Sequence, residues 1–328
     1  MQLCEKDIRA ILHGALEMTE VNGEWQFHRF TAAQRALYDE VNKDFARKTY
    51  ATSGIRLEFV TDANEFSFCY RASQASSRKC YYFDVFVDGV MVQHTGHEGL
   101  LEACNTLEIK LPAGTHKVAV YFPNLFQGRI WNVQMNDGAT FSPVQKARKL
   151  LCYGDSITQG YDAKFASQSY ANLLADKLGA EMVDQAIGGE IFRPELLTPL
   201  GYDPEIITVA YGTNDWSGQT RERTEKCANE FYARLAALYP NAKIFAITPI
   251  WRADDDRITK VGVFEESRVI VRNAARAAGA TVIEGDGMIP HMPDVCSDAY
   301  LHPNDFGFKF YANALYDAIT AHLCKEDC

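Results

Sequence analysis

Over the first 145 residues or so, apolar and polar positions mostly alternate. Leu16 and Met18 alternate with polar neighbours, Asn22-Gly23 offers a tight turn, and Trp25 and Phe27 resume the alternation, which predicts a β-hairpin. Thr31 and Gln34 form the ends of a capping box, which predicts a helix over 32–45. Period-two segments follow at 55–61, 65–71, 80–87, 91–94, 106–111, 117–122 and 129–134. Asp88-Gly89, Pro112-Ala113-Gly114 and Asn136-Asp137-Gly138 punctuate several of them. Short strands at regular spacing with such turns predict an antiparallel β-sandwich, jelly-roll-like in its strand content.

The pattern changes over 139–149. Alternation gives way to continuous apolar runs at 150–153, 182–186, 206–211, 244–250 and 281–283. Helix-period stretches separate them near 168–178, 221–239, 262–278 and 305–323. Strands buried on both faces and alternating with helices predict a parallel sheet covered by helices, an α/β fold. The chain therefore divides into a sandwich domain, 1–145, and an α/β domain, 146–328, in keeping with its length of 328 residues.

Composition narrows the function classes. The hydrophobic fraction of 47% and charged fraction of 23% are those of a globular protein. A net charge of −10, without a basic stripe, argues against a nucleic-acid partner. No stretch approaches the roughly 20 apolar residues that span a bilayer, so no membrane partner is expected. The start Met1-Gln2-Leu3-Cys4-Glu5-Lys6-Asp7 lacks the basic and apolar regions of a secretion leader. Nine cysteines without C-x-x-C spacing, several within strands (Cys69, Cys80, Cys152), read as reduced thiols. Together these give the expectation of a cytoplasmic protein, with a leader already removed as the alternative.

Three segments carry the chemistry: Gly154-Asp155-Ser156-Ile157-Thr158, Gly212-Thr213-Asn214-Asp215 and Leu301-His302-Pro303. Each is read as sitting just beyond an apolar run that forms a buried strand. All three are expected at the edge where the strands of an open parallel sheet end, which is where such sheets bind ligands. A serine hydroxyl needs a base within hydrogen-bond reach, and His302 supplies one. The anion formed on attack needs donors, which the Ser156 N–H, Gly189 and the Asn214 amide provide. Singly, each segment is an ordinary turn or helix cap. Their joint order is what points to a serine esterase.

On these residues the second half resembles the SGNH (GDSL-type) hydrolases. Gly154-Asp155-Ser156-Ile157 is similar to the serine block, Ala186-Ile187-Gly188-Gly189 to the glycine block with Gly188 as the adjacent candidate, Gly212-Thr213-Asn214-Asp215 to the asparagine block, and His302 to the histidine of the last block. The resemblance covers about 148–323. It implies a flavodoxin-like three-layer α/β/α domain with five parallel strands, and ester hydrolysis without a metal or other cofactor. In that family an aspartate three residues before the histidine orients the imidazole, but here Ala299 occupies that position. Asp298 is the preferred substitute, and a backbone carbonyl is the alternative. The preceding sandwich resembles the layout of some carbohydrate esterases and of SsfX3-like acyltransferases, through Ile11-Leu12-His13-Gly14-Ala15-Leu16 and Trp25-Gln26-Phe27-His28-Arg29-Phe30.

Asp155, Glu190, Trp216 and Trp251 are candidate substrate contacts, since each adjoins a strand end or a block. Phe192 and Arg193 share that position. Capping is the alternative for Glu190, and packing for the tryptophans. Asp254-Asp255-Asp256 reads as a solvated loop run, and His94, His97 and Glu98 lack a third metal ligand at a recognisable spacing. The expectation is removal of a small acyl group, acetyl first, from a carbohydrate or similar polar alcohol. An acyltransferase and a glycan-binding protein with a vestigial site are the rivals. Glycan binding, covering of the site and self-association into a homo-oligomer are the roles open to the sandwich.

Overall fold

The computed structural model describes residues 1–326, so Cys328 of the cysteine count lies outside the described residues. The chain forms two compact units, one made of Met1–Lys146 with Phe165–Ser167, the other of Ala147–Lys164 with the residues from Gln168 onward.

In the first unit the elements run α1 (Glu5–Ile11), β1 (Leu12–His13), β2 (Glu17–Val21), β3 (Glu24–His28), α2 (Ala32–Val41), α3 (Lys43–Lys48), β4 (Arg56–Thr61), β5 (Glu65–Gln74), β6 (Cys80–Val87), β7 (Val90–Glu98), β8 (Glu102–Lys110), β9 (His116–Tyr121), β10 (Phe126–Met135) and β11 (Phe141–Pro143). They build two antiparallel sheets, ordered β1-β4-β9-β6-β7, with β11 beside β4, and β2-β3-β10-β5-β8. The alternation is realised literally. Phe66, Phe68, Tyr70 and Ala72 of β5 point inward, as do Tyr81, Phe83 and Val85 of β6. Their rings meet between the sheets, with Phe68–Phe83 centroids 6.0 Å apart and Tyr70–Phe83 4.7 Å. The helix expected over 32–45 is broken. Asn42 adopts an extended conformation and its side chain accepts from the N–H groups of Asp44 and Phe45, ending α2 and starting α3. The expected capping box of Thr31 and Gln34 is present. Helix α1 was not expected, because its seven residues are too short for a clear period.

In the second unit the elements are β12 (Arg148–Gly154), α4 (Ser156–Gln159), α5 (Tyr170–Leu178), β13 (Ala180–Asp184), β14 (Ile206–Ala210), α6 (Thr213–Gly218), α7 (Arg221–Leu238), β15 (Lys243–Ile247), α8 (Phe264–Ala277), β16 (Thr281–Ile283) and α9 (Asp305–Glu326). The five strands are parallel in the order β13-β12-β14-β15-β16, the flavodoxin-like α/β/α arrangement. β12 lies in the interior of the sheet, with β13 on one side and β14 on the other. Strand order reverses here, and this is the topological switch point at which such sheets gather ligands. Leu150, Cys152, Ile206 and Phe245 are buried against Tyr170, Leu174, Phe308 and Tyr311 of the helices. No helix among the described residues is long and apolar enough to cross a membrane.

Candidate active site

β12 runs straight into α4 through a single turn. Asp155 caps that helix by accepting from the Ile157 N–H at 3.0 Å, which leaves Ser156 as its first residue. The residue before Asp155 has to be glycine, because a Cβ on Gly154 would lie 1.9 Å from the Thr158 hydroxyl oxygen. Ser156 is 8% exposed. Its N–H sits in the first helical turn, where no helix carbonyl is available to it.

The glycine and asparagine blocks follow β13 and β14, the two neighbours of β12 in the sheet. After β13, Gly188 donates its N–H to Gln159 Oε1 at 2.7 Å and is buried against the Tyr161 ring. Gly189, at φ +91, lies in the left-handed region that favours glycine and is exposed. Of the two adjacent glycines, Gly188 therefore has its donor committed, while Gly189 presents main chain to the surface. Gly212, at φ +118, opens α6, and Asn214 follows with its amide donating to the Glu190 carbonyl at 3.0 Å. That bond uses one of the two amide hydrogens.

His302 Nε2 lies 2.9 Å from Ser156 Oγ, and Nδ1 lies 2.7 Å from Asp298 Oδ2. The other oxygen of Asp298 accepts from the N–H groups of Tyr300, Leu301 and His302. Burial pushes this carboxyl up, but the Leu301 N–H, the His302 ring and the Tyr300 and His302 N–H groups outweigh it and hold it below the usual carboxylate range. The spacing of four residues, one more than the family pattern, is absorbed by Ala299. It adopts φ +64, a left-handed conformation rare for a residue with a Cβ, and so folds Asp298 back under the imidazole. The carboxylate fills the place left open between Asp298 and a backbone carbonyl. A second carboxylate, not anticipated from the sequence, lies close: Asp162 Oδ2 is 3.7 Å from His302 Nδ1. Its position a few residues after Ser156 was the available clue.

The four expected substrate contacts are packed rather than presented. Asp155 is 2% exposed and spends an oxygen on its cap. Glu190 is 1% exposed, accepts from the Ile191 N–H and pairs with Arg193 at 2.8 Å, so it neither faces substrate nor caps the following helix, whose N-cap position is Arg193. Trp216 is wholly buried; its indole donates to the Gly262 carbonyl and its ring meets Phe264, with the Arg252 guanidinium 4.7 Å from its centroid. Trp251 is largely covered and stacks on His291. Phe192 is buried among Tyr211, Phe231 and Tyr232. A strand end next to a catalytic block is also where helices close over the sheet, and at these positions packing takes the side chain.

Burial creates a further electrostatic feature. Asp155 and Asp215 are both pushed up to about 7, chiefly by loss of solvent. The Ile157 N–H and Arg252 oppose this at Asp155, the Phe192 N–H and Arg223 oppose it at Asp215, and Glu190 adds repulsion at both. Elsewhere, Asp254 is paired with Arg252 at 2.5 Å, so the acidic run is not simply solvated. His94 bonds Asp84 at 2.7 Å and stacks on Tyr82. Among the described residues, the group of three ligating side chains close enough to share an ion is Asp162, Asp298 and His302, and it does not include His94 or His97.

A doubly wound domain with a serine, an imidazole and a carboxylate in hydrogen-bonded sequence at its sheet edge has the site architecture of the serine hydrolases. Residues 152–310 match the GDSL-like Lipase/Acylhydrolase family and form a GDSL/SGNH hydrolase domain. No curated protein sequence matches the chain. Among solved structures it is similar to the salicylyl-acyltransferase SsfX3 from a tetracycline biosynthetic pathway, at 20% identity and TM-score 0.81, over 98% of this chain and 97% of that one. It is similar to a family two carbohydrate esterase from Clostridium thermocellum in complex with cellohexaose, at 18% identity and TM-score 0.64, over 83% and 94%. An acetyl xylan esterase from Butyrivibrio proteoclasticus shares 16% identity at TM-score 0.58, over 82% and 89%. These likenesses extend the fold match to both units.

Proposed function

We propose that the protein is a serine esterase that removes a small acyl group, acetyl first, from a carbohydrate or similar polar alcohol. The observation that carries this reading is the placement of the His302 ring, 2.9 Å from Ser156 Oγ and 2.7 Å from Asp298. In the proposed reaction Ser156 Oγ attacks the ester carbonyl while His302 Nε2 takes its proton. Asp298 holds the Nδ1–H and stabilises the imidazolium. The oxyanion is held by the N–H groups of Ser156 and Gly189 and by the free hydrogen of the Asn214 amide. His302 then protonates the leaving alcohol, and water releases the acid from Ser156. The carbohydrate-ester relatives support the substrate class.

A fluorophosphonate is expected to add covalently to the peptide carrying Ser156, as read by mass spectrometry of a digest. A protein that stays unlabelled would instead favour a glycan-binding module. Asn214→Ala should lower kcat for an activated acetyl ester by roughly 10²–10³-fold, the usual cost of one oxyanion donor, with KM little changed. A change confined to KM would remove Asn214 from the oxyanion site.

The full-length likeness to SsfX3 favours a second reading, acyl transfer to an acceptor alcohol from the same acyl-enzyme. Incubation with an acyl donor and polyhydroxylated acceptors, followed by mass analysis of the products, separates the two. Free acid supports the esterase and an acylated acceptor supports the transferase.

A further inference from the structure

The segment that follows α4 is built around the His302 imidazole. Gly160, at φ +85, turns the chain out of the helix, and the Tyr161 N–H returns to the Ser156 carbonyl at 2.9 Å. The Tyr161 ring stacks on His302, with centroids 5.8 Å apart and planes 27° apart. Asp162 follows at φ +67, its carbonyl accepting from the Ser297 hydroxyl at 3.1 Å. Its carboxylate, only 14% exposed, thereby comes within 3.7 Å of His302 Nδ1. Asp298, the nearer acid, devotes one oxygen to three backbone N–H groups and only the other to the ring. So one acid both shapes the histidine loop and contacts the imidazole, and a second approaches the same ring nitrogen from a different loop.

We propose that Asp162 is a second positioning carboxylate for His302, sharing with Asp298 the stabilisation of the imidazolium that forms when Ser156 gives up its proton. This rests on the serine-esterase reading above. The groups facing the imidazole are the Ser156 hydroxyl at Nε2, Asp298 and Asp162 at Nδ1, and the Tyr161 ring on one face. At 3.7 Å in a half-shielded site, a carboxylate favours a charged imidazole even without a direct hydrogen bond. Asp162 acts by charge and takes no proton itself.

The test uses Asp162→Asn, because asparagine tolerates the left-handed backbone as aspartate does, so only the charge is lost. The His302 ring is titrated by NMR in histidine-labelled protein, its resonance assigned by its loss in His302→Gln. This readout needs no turnover, so it judges the proposal even if the esterase reading fails, a failure that Ser156→Ala would expose separately. In Asp162→Asn the His302 midpoint is expected to fall by on the order of 0.5–1 pH unit. In Asp298→Asn, where Asp162 is the remaining carboxylate, adding Asp162→Asn should lower it at least as far again. If the esterase is active, the acid limb of its kcat/KM profile should move to lower pH by the same amount. A His302 midpoint that stays within about 0.2 pH unit in both backgrounds, on the order of 0.3 kcal/mol, overturns the proposal and leaves Asp162 a loop residue.

Discussion

Ser156→Ala is expected to lower kcat/KM for p-nitrophenyl acetate by on the order of 10⁴–10⁶, with the fold unchanged. In the proposed reaction the hydroxyl forms the acyl bond, and neither water nor His302 alone would replace it at neutral pH. His302→Ala should cost nearly as much, because an unassisted serine hydroxyl is a poor nucleophile. The double variant should be little worse than either single one, since nucleophile and base act as one unit. Residual turnover would come from the oxyanion donors, which survive both changes. Circular dichroism guards against misfolding: Ser156 is small and 8% exposed, so its truncation leaves little void. A Ser156→Ala protein within tenfold of the parent would remove the assignment.

Asp155→Asn is expected to stabilise the protein in alkaline solution and to do so progressively less in acid. Asp155 sits buried beside Ser156 with its carboxyl raised from 3.8 to about 7. A raised folded-state value means that the folded form holds its proton while the unfolded chain has already lost it. The group's favourable contribution is therefore complete below about pH 4, declines as pH rises, and is gone above about pH 7. The rise from 3.8 to about 7 corresponds to about 4 kcal/mol. Asparagine keeps an oxygen to accept from the Ile157 N–H and has no proton to lose. Denaturant unfolding of both proteins, followed by tryptophan fluorescence, should show their stability difference growing between pH 4 and 7 and levelling off beyond. Asp215, raised by similar burial, is relieved of one like charge in the variant, which adds to the difference at the higher pH values. A stability difference that is flat across this range would show that Asp155 is already ionised in the fold at low pH.

Much of this site was legible because its logic is local. The β12 run and the Gly154-Asp155-Ser156 block are neighbours in sequence, so their order implies a serine at the strand end, whereas the use of Asp155 as a cap rather than a substrate contact shows only in the structure. The same holds for Gly212 and Asn214 at the end of β14. Asp298 was less legible. Counting residues placed Ala299 where the acid belongs, and only the left-handed backbone at Ala299 brings Asp298 back beneath the ring. For Trp216 the sequence leaves both pocket lining and packing open. Being next to the asparagine block says nothing about which way a helix turns its face, and α6 turns this indole into the interior.

Two-residue and 3.6-residue periodicity record which face of each element meets a core. The sequence alone therefore determined the antiparallel and parallel halves and most of their strands and helices, though not α1 or the break at Asn42, and it pointed to Ser156, Asn214 and His302 as one group. Tertiary structure decided which carboxylates reach the imidazole, which aromatic rings stay available, and which acids lose their solvent. These depend on single loop dihedrals and on atoms from distant segments, and a pattern of neighbouring residues carries no record of either.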